Sequence, residues 1–153
     1  APVTQTVGVN SKLPDGSHIL MWDFDDISLE EVWMNLEDIQ HQYSLPRIYI
    51  LETKPGSNYI AYCFKRCTWR ECVAIIASTP CVDWNFFKYG VYRGHFTLRV
   101  GPKNGRWPKL KTILPSPIPE DVKLEELQSW VKYETLPDNY NSKLIQIPKH
   151  GWE

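Results

Sequence analysis

Residues His18-Ile19-Leu20-Met21-Trp22-Asp23-Phe24-Asp25-Asp26-Ile27-Ser28-Leu29-Glu30-Glu31 decide how the chain is read. The first half is short and largely apolar, and it follows a turn at Leu13-Pro14-Asp15-Gly16, where proline fixes φ before residues that tolerate a positive one. That combination predicts a buried central strand. The second half is a capping box, with Ser28 at the N-cap and Glu31 three residues on. Leu29, Val32, Trp33, Leu36, Ile39 and Tyr43 then recur at helical spacing. The helix should end near Ser44, because Pro46 disfavours a helical conformation at Leu45.

Beyond this unit, Arg47–Glu52 and Asn58–Phe64 are β-rich runs around a turn at Lys54-Pro55-Gly56-Ser57, which predicts a hairpin. Thr68-Trp69-Arg70-Glu71 is a second capping box, and the helix behind it turns Trp69, Cys72, Val73, Ile76 and Ala77 inward before Pro80. A fourth strand is expected from Phe86 to Val100, bent at Gly90 and Gly94. Strand, helix, strand, strand, helix, strand is the split βαβ order of α+β domains of the ferredoxin-like and RNA-recognition (RRM-like) type. In that order the first strand lies beside the fourth. At 153 residues the chain suits one domain, with its core at about residues 17–105 and a C-terminal extension over 106–153. The extension predicts a helix over Glu120–Glu134, carrying Val122, Leu127, Trp130 and Val131, and a short strand at Leu144–Ile147.

Composition narrows the class. The chain is 42% hydrophobic and 23% charged, which is ordinary for a globular domain. It lacks the roughly 18 consecutive apolar residues needed to cross a bilayer and a basic-then-apolar leader, so an intracellular, cytoplasmic protein without a membrane partner is expected. It begins at Ala1, as a processed product or a piece of a longer parent would. Cys63, Cys67, Cys72 and Cys81 lack paired zinc-ribbon spacing, and free thiols are expected ahead of disulfides or zinc. The net charge is −1, but no acidic residue stands between Asp83 and Glu120, where Lys88, Arg93, Arg99, Lys103, Arg106, Lys109 and Lys111 fall. Local basic density of this kind suits phosphate binding, and it also suits a solvated face balanced by acidic helices.

Alternate residues of a strand share a face, so Asp23 and Asp25 project together, away from Trp22 and Phe24. Two carboxylates side by side repel unless a cation lies between them. Mg²⁺ and Mn²⁺ take hard oxygen ligands of this kind, often completed by substrate phosphates. If the first strand lies beside the fourth, Asp83, just ahead of the fourth, reaches the same place and becomes a third ligand. Asp26 is expected only to support the helix dipole from the loop before Ser28.

At this point the chain resembles the archaeo-eukaryotic primase and primase-polymerase superfamily, in a short plasmid- or virus-like form. The family's first motif, a hydrophobic strand ending in Asp-x-Asp, is similar to Ile19-Leu20-Met21-Trp22-Asp23-Phe24-Asp25. Its third, a hydrophobic residue before aspartate, is similar to Val82-Asp83, and its Glu-Thr-Ser-Pro-Gly hairpin to Glu52-Thr53-Lys54-Pro55-Gly56. The arginine-bearing strand that follows is similar to Phe96-Thr97-Leu98-Arg99-Val100-Gly101-Pro102-Lys103. The resemblance covers about residues 17–105. It implies nucleotidyl transfer with Mg²⁺ or Mn²⁺ held by the catalytic Asp23, Asp25 and Asp83. It further implies contacts to a nucleoside triphosphate from Ser57, Arg99 and Lys103, and DNA template and primer as partners. The chain departs from the second motif, Ser-x-His: Ile60 stands where the histidine is expected, and His95 is the candidate to replace it in space. On this reading Lys88, Arg93, Arg106, Lys109 and Lys111 bind nucleic acid, and a monomer works beside a helicase or another replication protein.

Two other functions compete. One is a non-catalytic, RRM-like module that stacks single-stranded nucleic acid on an exposed sheet bearing Tyr49, Tyr59, Tyr62, Tyr92 and Phe96. The other is a strand-nicking initiator, disfavoured because His18, His41, His95 and His150 are scattered singly rather than paired as His-x-His.

Overall fold

The computed structural model of the chain describes residues 4–99, 107–123, 126–127, 129–135 and 143–148. In chain order they form β1 (Thr4–Asn10), β2 (His18–Phe24), α1 (Leu29–Tyr43), β3 (Ile48–Lys54), β4 (Asn58–Cys67), α2 (Trp69–Ala77), α3 (Trp84–Arg93), β5 (Thr97–Arg99), β6 (Lys109–Leu114), β7 (Ser129–Thr135) and β8 (Lys143–Pro148). The fold is α+β. One antiparallel sheet has the order β2-β4-β3-β6 and the other the order β5-β1-β7-β8. The two meet at the turn between β1 and β2, where Lys12 bridges His18 and Ile19 N–H donates to the Ser11 carbonyl.

Both capping boxes start helices. Ser28 Oγ accepts from Glu31 N–H at the head of α1, and Ser44 ends that helix with φ 53. Thr68 and Glu71 cap α2 reciprocally. Leu20, Trp22 and Phe24 share the helix-facing side of β2 by strand alternation. Trp22 Nε1–H donates to Thr79 Oγ1 just past α2, which fixes that side. Tyr49, Tyr62 and Phe64 lie on the other side with Asp23. There Tyr49 donates to Glu120, Asp121 N–H donates to the Phe64 carbonyl, and Val122 and Leu127 are buried. Arg66 holds this crossing segment through Asp15, Asp121 and Glu126. Burial excludes water from Cys63, Cys67 and Cys72, pushing the Cys67 thiol up to about 12 and the other two further. No disulfide joins the four cysteines.

Three expectations change. The antiparallel order β2-β4-β3 matches the first three strands of a split βαβ sheet, but the fourth place is not filled as expected. Residues 84–93 are a helix, and the strand that remains, β5, pairs with β1 instead of β2. The helix expected over Glu120–Glu134 is also absent, because residues 129–135 form β7 between β1 and β8. The polar start of the chain supplies β1. The strand expected at Leu144–Ile147 is present as β8.

Candidate functional site

β2 ends on the half-buried Asp23 and the fully buried Phe24, and Asp25 follows in the open. Asp26 then adopts φ 54, a left-handed conformation that aspartate tolerates, and turns the chain toward α1. Asn58 Oδ1, at the start of β4, accepts from Asp26 N–H, and the Ser57 carbonyl accepts from Ile27 N–H. The β3–β4 turn therefore buttresses the loop that carries Asp25.

Asp83 arrives by a different route from the one expected. It is the N-cap of α3, with Oδ2 accepting from Phe86 N–H at 2.9 Å. Its own N–H donates to the Asp23 carbonyl at 2.8 Å, pinning the helix start to the strand end. Carboxylate oxygens of Asp23, Asp25 and Asp83 lie within 4.8 Å of one another. Three hard oxygen donors, partly open to solvent, fit a hard divalent ion that keeps positions free for water or phosphate.

A cleft of about 190 Å³ opens from this cluster along α3. Asp23 lines one side; Asn85, Phe86, Tyr89, Gly90 and Arg93 line the helix wall; His95 and Thr97 complete it. Asn85, Tyr89 and Arg93 are spaced four apart and so share one helix face. Burial, and then the Arg93 charge, hold His95 below the usual imidazole range, so the ring is neutral at pH 7. Its buried Nε2 has no hydrogen-bond partner among the described residues. Such an atom costs about 1–3 kcal/mol unless something binds it. The cleft thus joins a carboxylate, a guanidinium, an imidazole, a hydroxyl and an aromatic wall.

The other predicted residues spread more widely. Ser57 sits in the β3–β4 turn, with its hydroxyl on Asn58 Oδ1. Lys88 stands on α3 with Nζ over the Tyr89 ring. Lys109 and Lys111 lie on β6, three strand places from β2, or about 14 Å at ordinary strand spacing. Lys111 there pairs with Glu52. The Arg99 backbone pairs with Gly8 in β5, while its side chain, Lys103 and Arg106 lie outside the described residues. The exposed aromatic sheet is not found: Tyr59, Tyr62 and Phe96 are buried, Tyr49 is half-buried and Tyr92 belongs to α3. Asn85, Tyr89 and Thr97 were missed as cleft residues. The signal that would have found them is a helix bounded by Asp83 and Gly94, which closes α3 with φ 84. Comparison of the chain with family models, with curated proteins and with solved structures found no match in any of the three.

Proposed function

We propose that this chain is the catalytic core of a replication-type nucleotidyltransferase, a primase or DNA polymerase that extends a primer from nucleoside triphosphates. The observation that carries the reading is the convergence of Asp23, Asp25 and Asp83, with Asp23 also lining a cleft shared with Arg93 and His95. Mg²⁺ or Mn²⁺, held by the three aspartates, would supply activation of the attacking hydroxyl and stabilisation of the leaving pyrophosphate. The cleft is smaller than the roughly 300–1,000 Å³ of drug-sized sites, which suits the sugar–phosphate part of a nucleotide with its base outside. Arg93 neutralises phosphate charge there, and neutral His95 lines the cleft without adding charge. His95 thereby takes the place of the histidine absent at Ile60. The Thr97 hydroxyl and the Asn85 amide orient the bound group, and Tyr89 and Phe86 shield it from water. Arg99, Lys103 and Ser57 stay in this reading as further phosphate contacts, with DNA template and primer as partners in the cytoplasm.

The test is primer extension with nucleoside triphosphates and Mn²⁺. The parent should extend. A double variant with Asp23→Ala and Asp25→Ala should not, and Arg93→Gln should raise KM for the triphosphate. A parent that fails to extend with either metal would sink the assignment.

A further inference from the structure

α3 has three faces. Phe86, Phe87 and Gly90 pack inward on Phe96, while Asn85, Tyr89 and Arg93 line the cleft. The third face points to solvent. Trp84 is 66% exposed there and Tyr92 88%, with Lys88 and Val91 also exposed between them. Helical spacing puts Trp84, Lys88 and Tyr92 in one row about 12 Å long. Large exposed rings of this kind mark a binding surface.

The charge around the row says what it binds. Lys88 and Arg93 flank the Tyr89 ring, at 5.0 Å and 5.6 Å from its centroid. Neither makes an ion pair with a carboxylate among the described residues, and no acidic residue occurs from Trp84 to Pro119. Rings that accept any π-face beside uncompensated cations match a polyanion carrying stackable bases. The row also borders the cleft through Tyr89 and Arg93, so a strand lying on it would lead toward the three aspartates.

We propose that the outer face of α3 binds single-stranded nucleic acid, with Trp84 and Tyr92 stacking on bases and Lys88 meeting phosphates. The proposal takes its strand from the nucleotidyl-transfer reading, but its test uses no catalysis.

Fluorescence anisotropy of a labelled oligothymidylate about 12 nucleotides long, within the usual 4–16-nucleotide site size, reads binding in EDTA. The parent should bind. Trp84→Ala and Tyr92→Ala should each weaken binding by about 5- to 160-fold, while Tyr92→Phe should bind as the parent does. Lys88→Gln should reduce the slope of log affinity on log salt by about 0.7. Circular dichroism melting should show these exposed-site variants folded. A parent that does not bind, or alanine variants that bind like it, overturns the proposal. So does a dimer in sedimentation that Tyr92→Ala dissolves in the absence of oligonucleotide binding, which would assign the face to a second copy of the chain. Asp23 and Asp25 variants that bind the strand but do not extend it leave this surface standing, and a parent that binds but never extends removes only the catalytic reading.

Discussion

Replacing Gly90 by alanine tests how closely α3 is held against Phe96, the residue just before β5. A Cβ built at Gly90 meets Phe96 Cδ1 at 2.1 Å and Cε1 at 2.2 Å, and Cγ at 3.1 Å. Ordinary carbon contacts lie at about 3.5–4.0 Å, so the helix and the ring must part by roughly 1.3 Å or more. Phe96 is 1% exposed. Its ring packs on Trp69 at 5.1 Å, Phe86 at 5.1 Å and Phe87 at 6.1 Å, which leaves it little room to retreat. Alanine gains about 1 kcal/mol over glycine in helix propensity. Overpacking costs about 1–3 kcal/mol, occasionally more, and the clash on two ring atoms puts this site at the upper end. A net loss of about 1–2 kcal/mol follows, or roughly 3–6 °C in Tm for a chain of this length. Thermal melting of Gly90→Ala, Phe96→Leu and the double variant reads the effect directly. The pair should couple by at least about 1 kcal/mol, because leucine vacates the space that alanine needs. If Gly90→Ala melts at or above the parent temperature, or the two changes simply add, the close contact between α3 and Phe96 is refuted. The same shift would disturb the Asp83–Asp23 contact, so on the proposed reading primer extension should fall as well.

Three more outcomes are expected. His18 is 3% exposed, with Nδ1 2.9 Å from Ser11 Oγ, and burial followed by the charges of Lys12 and His95 lowers its pKa to about 4. The unfolded chain takes up that proton near pH 6.5 and the folded chain only near 4, so stability should fall by about 3 kcal/mol as pH drops through this window. His95 is lowered in the same sense, and urea melts of His18→Gln across that range should show a shallower acid limb. Thr68→Ala removes one half of the α2 capping box and should cost about 1 kcal/mol, with Thr68→Ser near the parent, read by thermal melting. Asp83→Asn keeps a good N-cap and removes one charge from a cluster whose like charges repel by about 1 kcal/mol per pair at 4.8 Å in water. Without metal its Tm should match or exceed the parent's; on the proposed metal-site reading, millimolar Mn²⁺ should raise the parent's Tm and raise the variant's by less.

Much of this architecture could be read from local chemistry. Ser28 with Glu31 and Thr68 with Glu71 located two helices, Pro46 and Pro80 bounded them, and Pro55-Gly56 marked the β3–β4 turn. The Asp23 and Asp25 alternation and the arrival of Asp83 were also legible, although Asp83 comes as a helix cap rather than as the residue before a strand. Residues 84–93 were misread because Trp84, Phe86, Phe87, Tyr89, Val91 and Tyr92 all favour strands, and that propensity hid the cap at Asp83 and the stop at Gly94. β7 was taken for a helix from four apolar positions, although Val131 and Tyr133 alternate with Lys132 and Glu134. β1 carries almost no local signal. Its partners, β5 and β7, lie some 90 to 130 residues along the chain, and pairings at that range are set by tertiary packing.

The bond from Asp83 N–H to the Asp23 carbonyl joins two main-chain groups. No exchange of either side chain deletes it, proline at position 83 excepted. The main-chain link between the strand end and the helix start therefore does not depend on the carboxylates, although the Asp83 side chain still caps α3 through Phe86 N–H. Exchanges at Asp23 or Asp25, or of Asp83 for another capping residue such as asparagine, would leave the strand end and the helix start joined. A relative without the three carboxylates would then share this shape, and only its side chains would tell whether it could hold a cation.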